Sequence, residues 1–159
     1  MSLIEQLQAA MKAAMRDHDD LRRDTLRMVI AAAYNAEKAA RRPLTDDELI
    51  GGLARETKTR RESIEAYEQA GRTDLAAKER AESEILAEFL PAALTEDELR
   101  TLVRDAIAAT GATSARDLGK VMGVVSRQTK GRADGKAVSG MVAQELARLD
   151  VAAHDAGGH

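Results

Sequence analysis

Apolar side chains recur three or four positions apart along most of the chain, the spacing that places them on one face of an α-helix. The first such segment carries Ile4, Leu7, Met11 and Ala14. This periodicity predicts seven amphipathic helices. The apolar positions of the other six are Leu26, Val29, Ile30 and Ala33; Leu49, Ile50, Leu53, Ile64 and Tyr67; Leu75, Ile85, Leu86, Phe89 and Leu90; Leu99, Leu102, Val103, Ala106 and Ile107; Leu118, Val121, Met122 and Val125; and Val138, Met141, Val142, Leu146 and Leu149.

Several of these helices have a recognisable start, a hydroxyl residue followed three positions later by an acid, which together bind the first backbone N–H groups. The pairs are Ser2 and Glu5, Thr45 and Glu48, Thr95 and Glu98, and Ser114 and Asp117. Pro91 ends the fourth helix, because the residue before a proline avoids helical geometry. We therefore expect a four-helix N-terminal domain over residues 1–92, a three-helix C-terminal lobe over residues 93–149 and a disordered tail over residues 150–159.

Composition supports an all-α fold and narrows the chemistry. Only 2% of the residues are aromatic and only two are prolines, so strand formers and helix breakers are both scarce. The absence of cysteine excludes disulfides, thiolate catalysis and cysteine-based zinc sites. The chain shows neither a signal-peptide pattern nor a run of about 20 apolar residues, so we expect a soluble, cytoplasmic protein with no membrane partner.

The charge is unevenly distributed. The whole chain has a net charge of −3, and residues 1–94 carry 15 basic and 18 acidic side chains. Residues 112–149 carry seven basic and only three acidic side chains. A positive segment in an acidic protein predicts an anionic partner for this end of the chain.

Most of this positive charge falls on one face of the sixth predicted helix. At 100° per residue, a sector of about 80° contains Arg116, Lys120, Gly123, Arg127 and Lys130. Glycine inside a helix costs about 1 kcal/mol relative to alanine, so a glycine among cations calls for a reason. Either a phosphate backbone approaches this smooth basic surface, or another helix of the same protein crosses it. The sequence leaves both interpretations open.

The loop over residues 130–136, Lys-Gly-Arg-Ala-Asp-Gly-Lys, differs from a nucleotide phosphate loop. Three residues separate its glycines where four are required, and Ala137 follows Lys136 in place of serine or threonine. Two interpretations remain, a plain turn between helices and a helix start that binds an anion through its backbone N–H groups.

A second basic cluster lies on the third predicted helix, at Arg55, Lys58, Arg60 and Arg61. No side chain from Arg55 to Glu62 is apolar, and an acidic residue lies four positions away from three of these cations, Lys58, Arg60 and Arg61. Such i,i+4 pairs are typical of an exposed, locally neutralised helix.

No arrangement of residues is typical of catalysis. The histidines are far apart at His18, His154 and His159, and no serine lies in an elbow motif. We therefore expect no catalytic centre, no metal site and no cofactor. Because no aromatic residue follows Phe89, the C-terminal lobe lacks the rings that stack unpaired bases. A folded, duplex-like RNA fits such a lobe better than a single strand.

Several longer segments resemble the GatB/YqeY family. The glycine-rich signature covers residues 117–123, Asp-Leu-Gly-Lys-Val-Met-Gly, together with the loop over residues 130–136. Further matching segments are residues 21–28, 61–64, 70–76 and 84–91. The resemblance spans residues 1–149 and is to the stand-alone YqeY-like form. Ser139 and Gly140 depart from the more polar pair expected there.

The resemblance implies a tRNA-binding accessory module without a catalytic centre of its own. In the GatB protein of the glutamine-dependent tRNA amidotransferase, the similar module is a C-terminal appendage that contacts tRNA, and the chemistry belongs to other parts of that enzyme. The resemblance assigns nucleic-acid binding to the basic, glycine-rich segment. The expected binding residues are Arg116, Lys120, Gly123, Arg127, Lys130, Gly131, Arg132, Gly135 and Lys136.

Two alternatives remain open. One is a helical adaptor that docks on a translation enzyme, such as the tRNA amidotransferase or an aminoacyl-tRNA synthetase. The other is a component of a carbon–nitrogen ligase with glutamine as amido-N-donor, the activity associated with the family.

Overall fold

The computed structural model describes residues 1–157, which form seven α-helices and no β-strand. The prediction of an all-α fold with about seven helices is confirmed. A single turn of 3-10 helix, Ala115–Asp117, precedes the sixth α-helix. The α-helices are α1 (Leu3–Arg16), α2 (Asp20–Ala40), α3 (Asp46–Gln69), α4 (Thr73–Ala87), α5 (Glu96–Thr110), α6 (Leu118–Thr129) and α7 (Gly135–Gly157).

The chain divides into two compact units, one formed by Met1–Pro91 and the other beginning at Ala92. Each unit has its own hydrophobic core. None of the helices described is long and apolar enough to cross a membrane.

The N-terminal unit contains α1 to α4, with α1 packed mainly on α2 and α3 mainly on α4. Its core includes Leu7, Leu26 and Leu86, which are completely buried. The predicted capping boxes at Ser2 and Thr45 are both formed, so the starts of α1 and α3 follow directly from the sequence.

The middle of α3 differs from the exposed helix expected there. Arg60 is only 5% exposed, and its guanidinium pairs with the Glu79 and Glu82 carboxylates of α4. Its predicted intrahelical partner Glu56 is more distant, at 4.0 Å. The long arginine side chain therefore replaces an apolar residue in the packing of α3 on α4, which helical periodicity of apolar residues does not detect.

The C-terminal unit contains α5, α6 and α7 around a shared core. Val103 of α5, Val121 and Val125 of α6, and Val142 and Leu146 of α7 are all completely buried. Each helix of this unit therefore presents most of the apolar stripe that the sequence predicts to the same small core.

The C-terminal tail also differs from its prediction. Residues 150–157 continue α7 as an exposed helix, where the sequence pattern predicted disorder. Alanine has a high helix propensity and no proline interrupts the segment, so the packed part of α7 extends through it without a new helix start. The last two residues of the predicted tail lie outside the described range.

Candidate nucleic-acid interface

Helix α6 has one face in the core and one in solvent. Val121 and Val125 are buried, whereas Lys120, Gly123 and Arg127 are exposed. Leu118, expected on the apolar face, is 37% exposed because it lies in the first turn of the helix, at the edge of the core.

Gly123 faces open space. A Cβ atom built on its backbone would have no neighbouring heavy atom within 4 Å, and the same holds at Gly119. The interpretation in which another helix crosses at Gly123 is therefore wrong for the described structure. What remains is a section of helix surface without side chains, flanked by exposed cations.

The two ends of the predicted basic face lie outside the α-helix. Arg116 belongs to the 3-10 turn, and Lys130 follows the last residue of α6 with an extended ψ of 122°. Both side chains are exposed. Their positions are therefore set by the turns at either end of α6 and not by the 100° winding used to predict them.

Five cations of residues 116–136 make no close ion pair in the described part of the chain. Within residues 1–157, no carboxylate oxygen lies within 4.0 Å of any of the five. In contrast, the other arginines of the C-terminal unit, apart from Arg132, all approach the carboxylate of Glu145. We name the five cations and Gly123 together the α6 basic surface. The cations are Arg116, Lys120, Arg127, Lys130 and Lys136.

Asp117 is the acidic residue nearest to this surface in sequence, and it has a structural role. Its carboxylate accepts hydrogen bonds from the backbone N–H groups of Thr113, at 2.8 Å, and Ser114, at 3.4 Å. The bond from Thr113 is the main cause of a pKa below the usual 3.8, and the charge of Lys120 also lowers it. Asp117 therefore stays ionised and stabilises the turn that leads into α6.

The loop between α6 and α7 depends on Gly131 and Arg132. Gly131 has a φ of 75°, in the left-handed region that favours glycine, and this conformation ends α6. The Nε atom of Arg132 donates to the carbonyl oxygen of Ala92 at 3.1 Å, and the Arg132 carbonyl accepts from the N–H of Leu94 at 2.8 Å. Arg132 therefore holds the start of the C-terminal unit against this loop and is half-buried, unlike the five exposed cations.

Gly135 and Lys136 are the first two residues of α7, and both are exposed. The N–H groups of a first helical turn have no acceptor within the helix, and the helix dipole adds partial positive charge there. The structure thus keeps the helix-start interpretation of this loop and gives no support to a nucleotide phosphate loop.

An ionic cluster between α5 and α7 was not predicted from the sequence. Glu145 lies on the buried stripe of α7 and is 6% exposed, and its carboxylate is approached by Arg100, Arg104 and Arg148. The sequence did contain a signal for its burial. Glu145 follows Val138 by seven positions and Met141 by four, which places it on the same face of α7 as these apolar residues. An acid on the apolar face of a helix requires a cationic partner.

Comparison with known proteins places the chain in a family. The family model of the Yqey-like proteins matches residues 4–146. "Altered inheritance of mitochondria protein 41, mitochondrial" of Pyrenophora tritici-repentis is 34% identical over 133 residues, which cover 82% of this chain and 73% of that protein. "Uncharacterized protein C22F3.15" of Schizosaccharomyces pombe is 31% identical over 94 residues, 57% of this chain and 76% of that protein. Since the family model matches nearly the whole chain, this protein belongs to the YqeY-like family.

Proposed function

We propose that this protein is a tRNA-binding accessory module whose α6 basic surface contacts the phosphate backbone. The observation that carries the proposal is the set of exposed cations around Gly123 without a carboxylate oxygen within 4.0 Å in the described structure. Cations without local counterions attract a polyanion, because a bound phosphate does not have to displace an internal salt bridge.

The shape and composition of this surface favour a folded RNA. Without a Cβ atom at Gly123, a sugar–phosphate backbone can approach the helix more closely than over any other residue. No aromatic residue occurs after Phe89 in the sequence, so contacts to stacked-out bases play no part. Recognition then rests on phosphate positions and the overall shape of the RNA.

Family membership supports tRNA as the RNA. The chain resembles the module that, in the GatB protein of the tRNA amidotransferase, contacts tRNA without performing the chemistry. The proposal accordingly assigns binding, and no chemical step, to the α6 basic surface.

The test is tRNA binding by the full chain and by Lys120→Ala/Lys130→Ala, measured by fluorescence anisotropy at one fixed salt concentration. We expect the double variant to weaken tRNA binding about tenfold, because two phosphate contacts are lost. The matched control is Lys12→Ala/Lys38→Ala, which removes the same charge from exposed positions on α1 and α2.

The control variant should bind within about twofold of the parent chain, since a change in net charge away from the contact surface contributes little at physiological salt. Equal losses in the two double variants, or no loss in either, would contradict a localised tRNA surface on α6.

A further inference from the structure

A groove on the C-terminal unit lies between α5 and α7, and the α6 basic surface takes no part in it. Its lining includes Arg100 and Arg104 of α5, and Ala147, Arg148 and Val151 of α7, with the Glu145 carboxylate at its base. Val151 is 60% exposed, one of the few large apolar side chains of this unit that lie in solvent.

Glu145 has more cationic partners than its burial requires. Arg104 donates to it through Nε at 3.1 Å, and Arg100 approaches through Nε at 3.4 Å. These two contacts from α5 are sufficient to neutralise the carboxylate and hold α5 to α7. The Nε atom of Arg148 lies 3.9 Å away, beyond hydrogen-bonding distance, and its side chain is 65% exposed.

The three arginines differ in how many of their guanidinium N–H groups have an acceptor. The Nη1 and Nη2 atoms of Arg100 are paired with Asp97 at 3.3 Å and Glu96 at 3.0 Å. Arg104 contacts Glu145 through Nε and Nη2, which leaves its Nη1 atom without a bond in the described structure. The Arg148 guanidinium makes no hydrogen bond within residues 1–157 either. Glu145 therefore holds Arg104 in place through Nε and Nη2. The Nη1 atom of Arg104 and the guanidinium of Arg148 remain available as donors beside the apolar side chains of Ala147 and Val151.

We propose that this groove docks an acidic peptide segment of a partner protein, with carboxylates on Arg104 and Arg148 and an apolar side chain against Ala147 and Val151. The charges around the groove favour a short acidic peptide over a polyanion such as RNA. The Glu96 and Asp97 carboxylates, which pair with Arg100 of the groove, have 76% and 96% of their side chains exposed and would repel a run of phosphates. A peptide can place its few charges between them, and arginine beside apolar surface is typical of protein interfaces.

The test uses the full chain and a short fluorescein-labelled amphipathic helical peptide with glutamates on one face and leucines on the other. A matched peptide has glutamine in place of every glutamate. Binding is measured by anisotropy for the parent chain and for Arg148→Gln and Val151→Ser, two exposed positions whose substitution leaves the Arg104–Glu145 pair intact. Each variant should weaken binding of the acidic peptide about fivefold, and the glutamine peptide should bind far more weakly.

Arg127→Gln on α6 is the control for general electrostatic attraction and should leave peptide affinity unchanged. Failure of the acidic peptide to bind, equal binding of the glutamine peptide, or an equal loss in Arg127→Gln would overturn the proposal. It would also be overturned if Arg148→Gln weakened tRNA binding about fivefold or more, because the groove would then belong to an RNA surface. None of these outcomes depends on whether the α6 basic surface binds tRNA.

Discussion

At the scale of single residues, two glycines of the C-terminal unit serve opposite purposes. Gly123 lies inside α6 with ordinary helical geometry and open space where a Cβ atom would be, so nothing in the fold requires glycine there. Gly131 has a φ of 75°, which a residue with a side chain adopts only with strain. Backbone conformation therefore accounts for the glycine at position 131, whereas at position 123 the reason for a glycine comes from the proposed phosphate contact.

We expect Gly123→Ala to increase the free energy of unfolding by about 0.5–1 kcal/mol, since alanine is the better helix former and meets no neighbour. Gly131→Ala should decrease it by about 1 kcal/mol through backbone strain. Urea unfolding of both variants checks this. A destabilised Gly123→Ala protein would contradict the open surface over α6.

Gly123→Leu tests the functional side of the same residue. The leucine should be tolerated by the fold but should weaken tRNA binding about fivefold, because its side chain holds the phosphate backbone away from the flanking cations. Anisotropy measurements on Gly123→Ala provide the comparison, with a smaller loss expected. Unchanged affinity in Gly123→Leu would show that the RNA does not pass over this position.

Glu48 offers a test of the local electrostatics at the start of α3. Arg42 holds its carboxylate through two hydrogen bonds, of 2.9 and 2.6 Å, and the N–H of Thr45 adds a third at 2.9 Å. Arg42 is the main cause of a Glu48 pKa of about 2, well below 4.5. Because the folded pKa is lowered, these bonds stabilise the fold above about pH 4.5, and their contribution is lost as the pH falls towards 2.

An NMR titration of the Glu48 carboxyl carbon should therefore give a midpoint near 2, and Arg42→Gln should move it upward. A midpoint near 4.5 in the parent chain would show that the Arg42 pair does not persist in solution.

At the scale of elements, the α3–α4 pairing depends on a buried charge. Arg60 Nη1 lies 3.0 Å from the Glu79 carboxylate and also pairs with Glu82, in a stretch of α3 that offers no apolar side chain from residue 55 to residue 62. The Nε atom of Arg60 is buried without a hydrogen-bond partner in the described structure, so the site already contains one unsatisfied donor.

We expect Arg60→Ala to lower the free energy of unfolding by about 3 kcal/mol, because two partly buried carboxylates lose their counterion. The control, Arg55→Ala, removes an exposed arginine of the same helix and should change stability by less than about 0.5 kcal/mol. Urea denaturation of the two variants measures the difference. Similar, small effects would mean that the Arg60 pairs are no more than surface contacts.

Sequence patterns predict helices well here and charged interiors poorly. Apolar periodicity and the capping residues Ser2 and Thr45 specify where α1 and α3 begin, since those signals are local. Arg60 and Glu145 were not predicted, because a buried ion pair depends on residues of another helix that no local pattern contains. The basic face of α6 was partly predictable. Its central positions follow helical winding, whereas Arg116 and Lys130 lie in turns whose geometry the pattern does not describe.

At the scale of the whole molecule, the C-terminal unit has basic and acidic side chains in different places and no excess of positive charge. Residues 92–157 carry nine basic and nine acidic side chains, so this part of the chain has no net charge. Six of the nine acids lie in the first turn of α5 or along α7, and the cations without a carboxylate oxygen within 4.0 Å lie in and around α6. Binding of an RNA must therefore depend on this arrangement. Cellular location stays a prediction, since the Pyrenophora relative is named as a mitochondrial protein.

The salt dependence of tRNA binding by the full chain tests the proposed RNA surface most directly. A plot of log Kd against log salt concentration should be linear, with a magnitude of slope near 4 if about five phosphates are neutralised. The Lys120→Ala/Lys130→Ala variant should lower that magnitude by nearly 2, and Lys12→Ala/Lys38→Ala should leave it unchanged. A slope near zero, or one that the α6 variant does not alter, would contradict phosphate binding by the α6 basic surface.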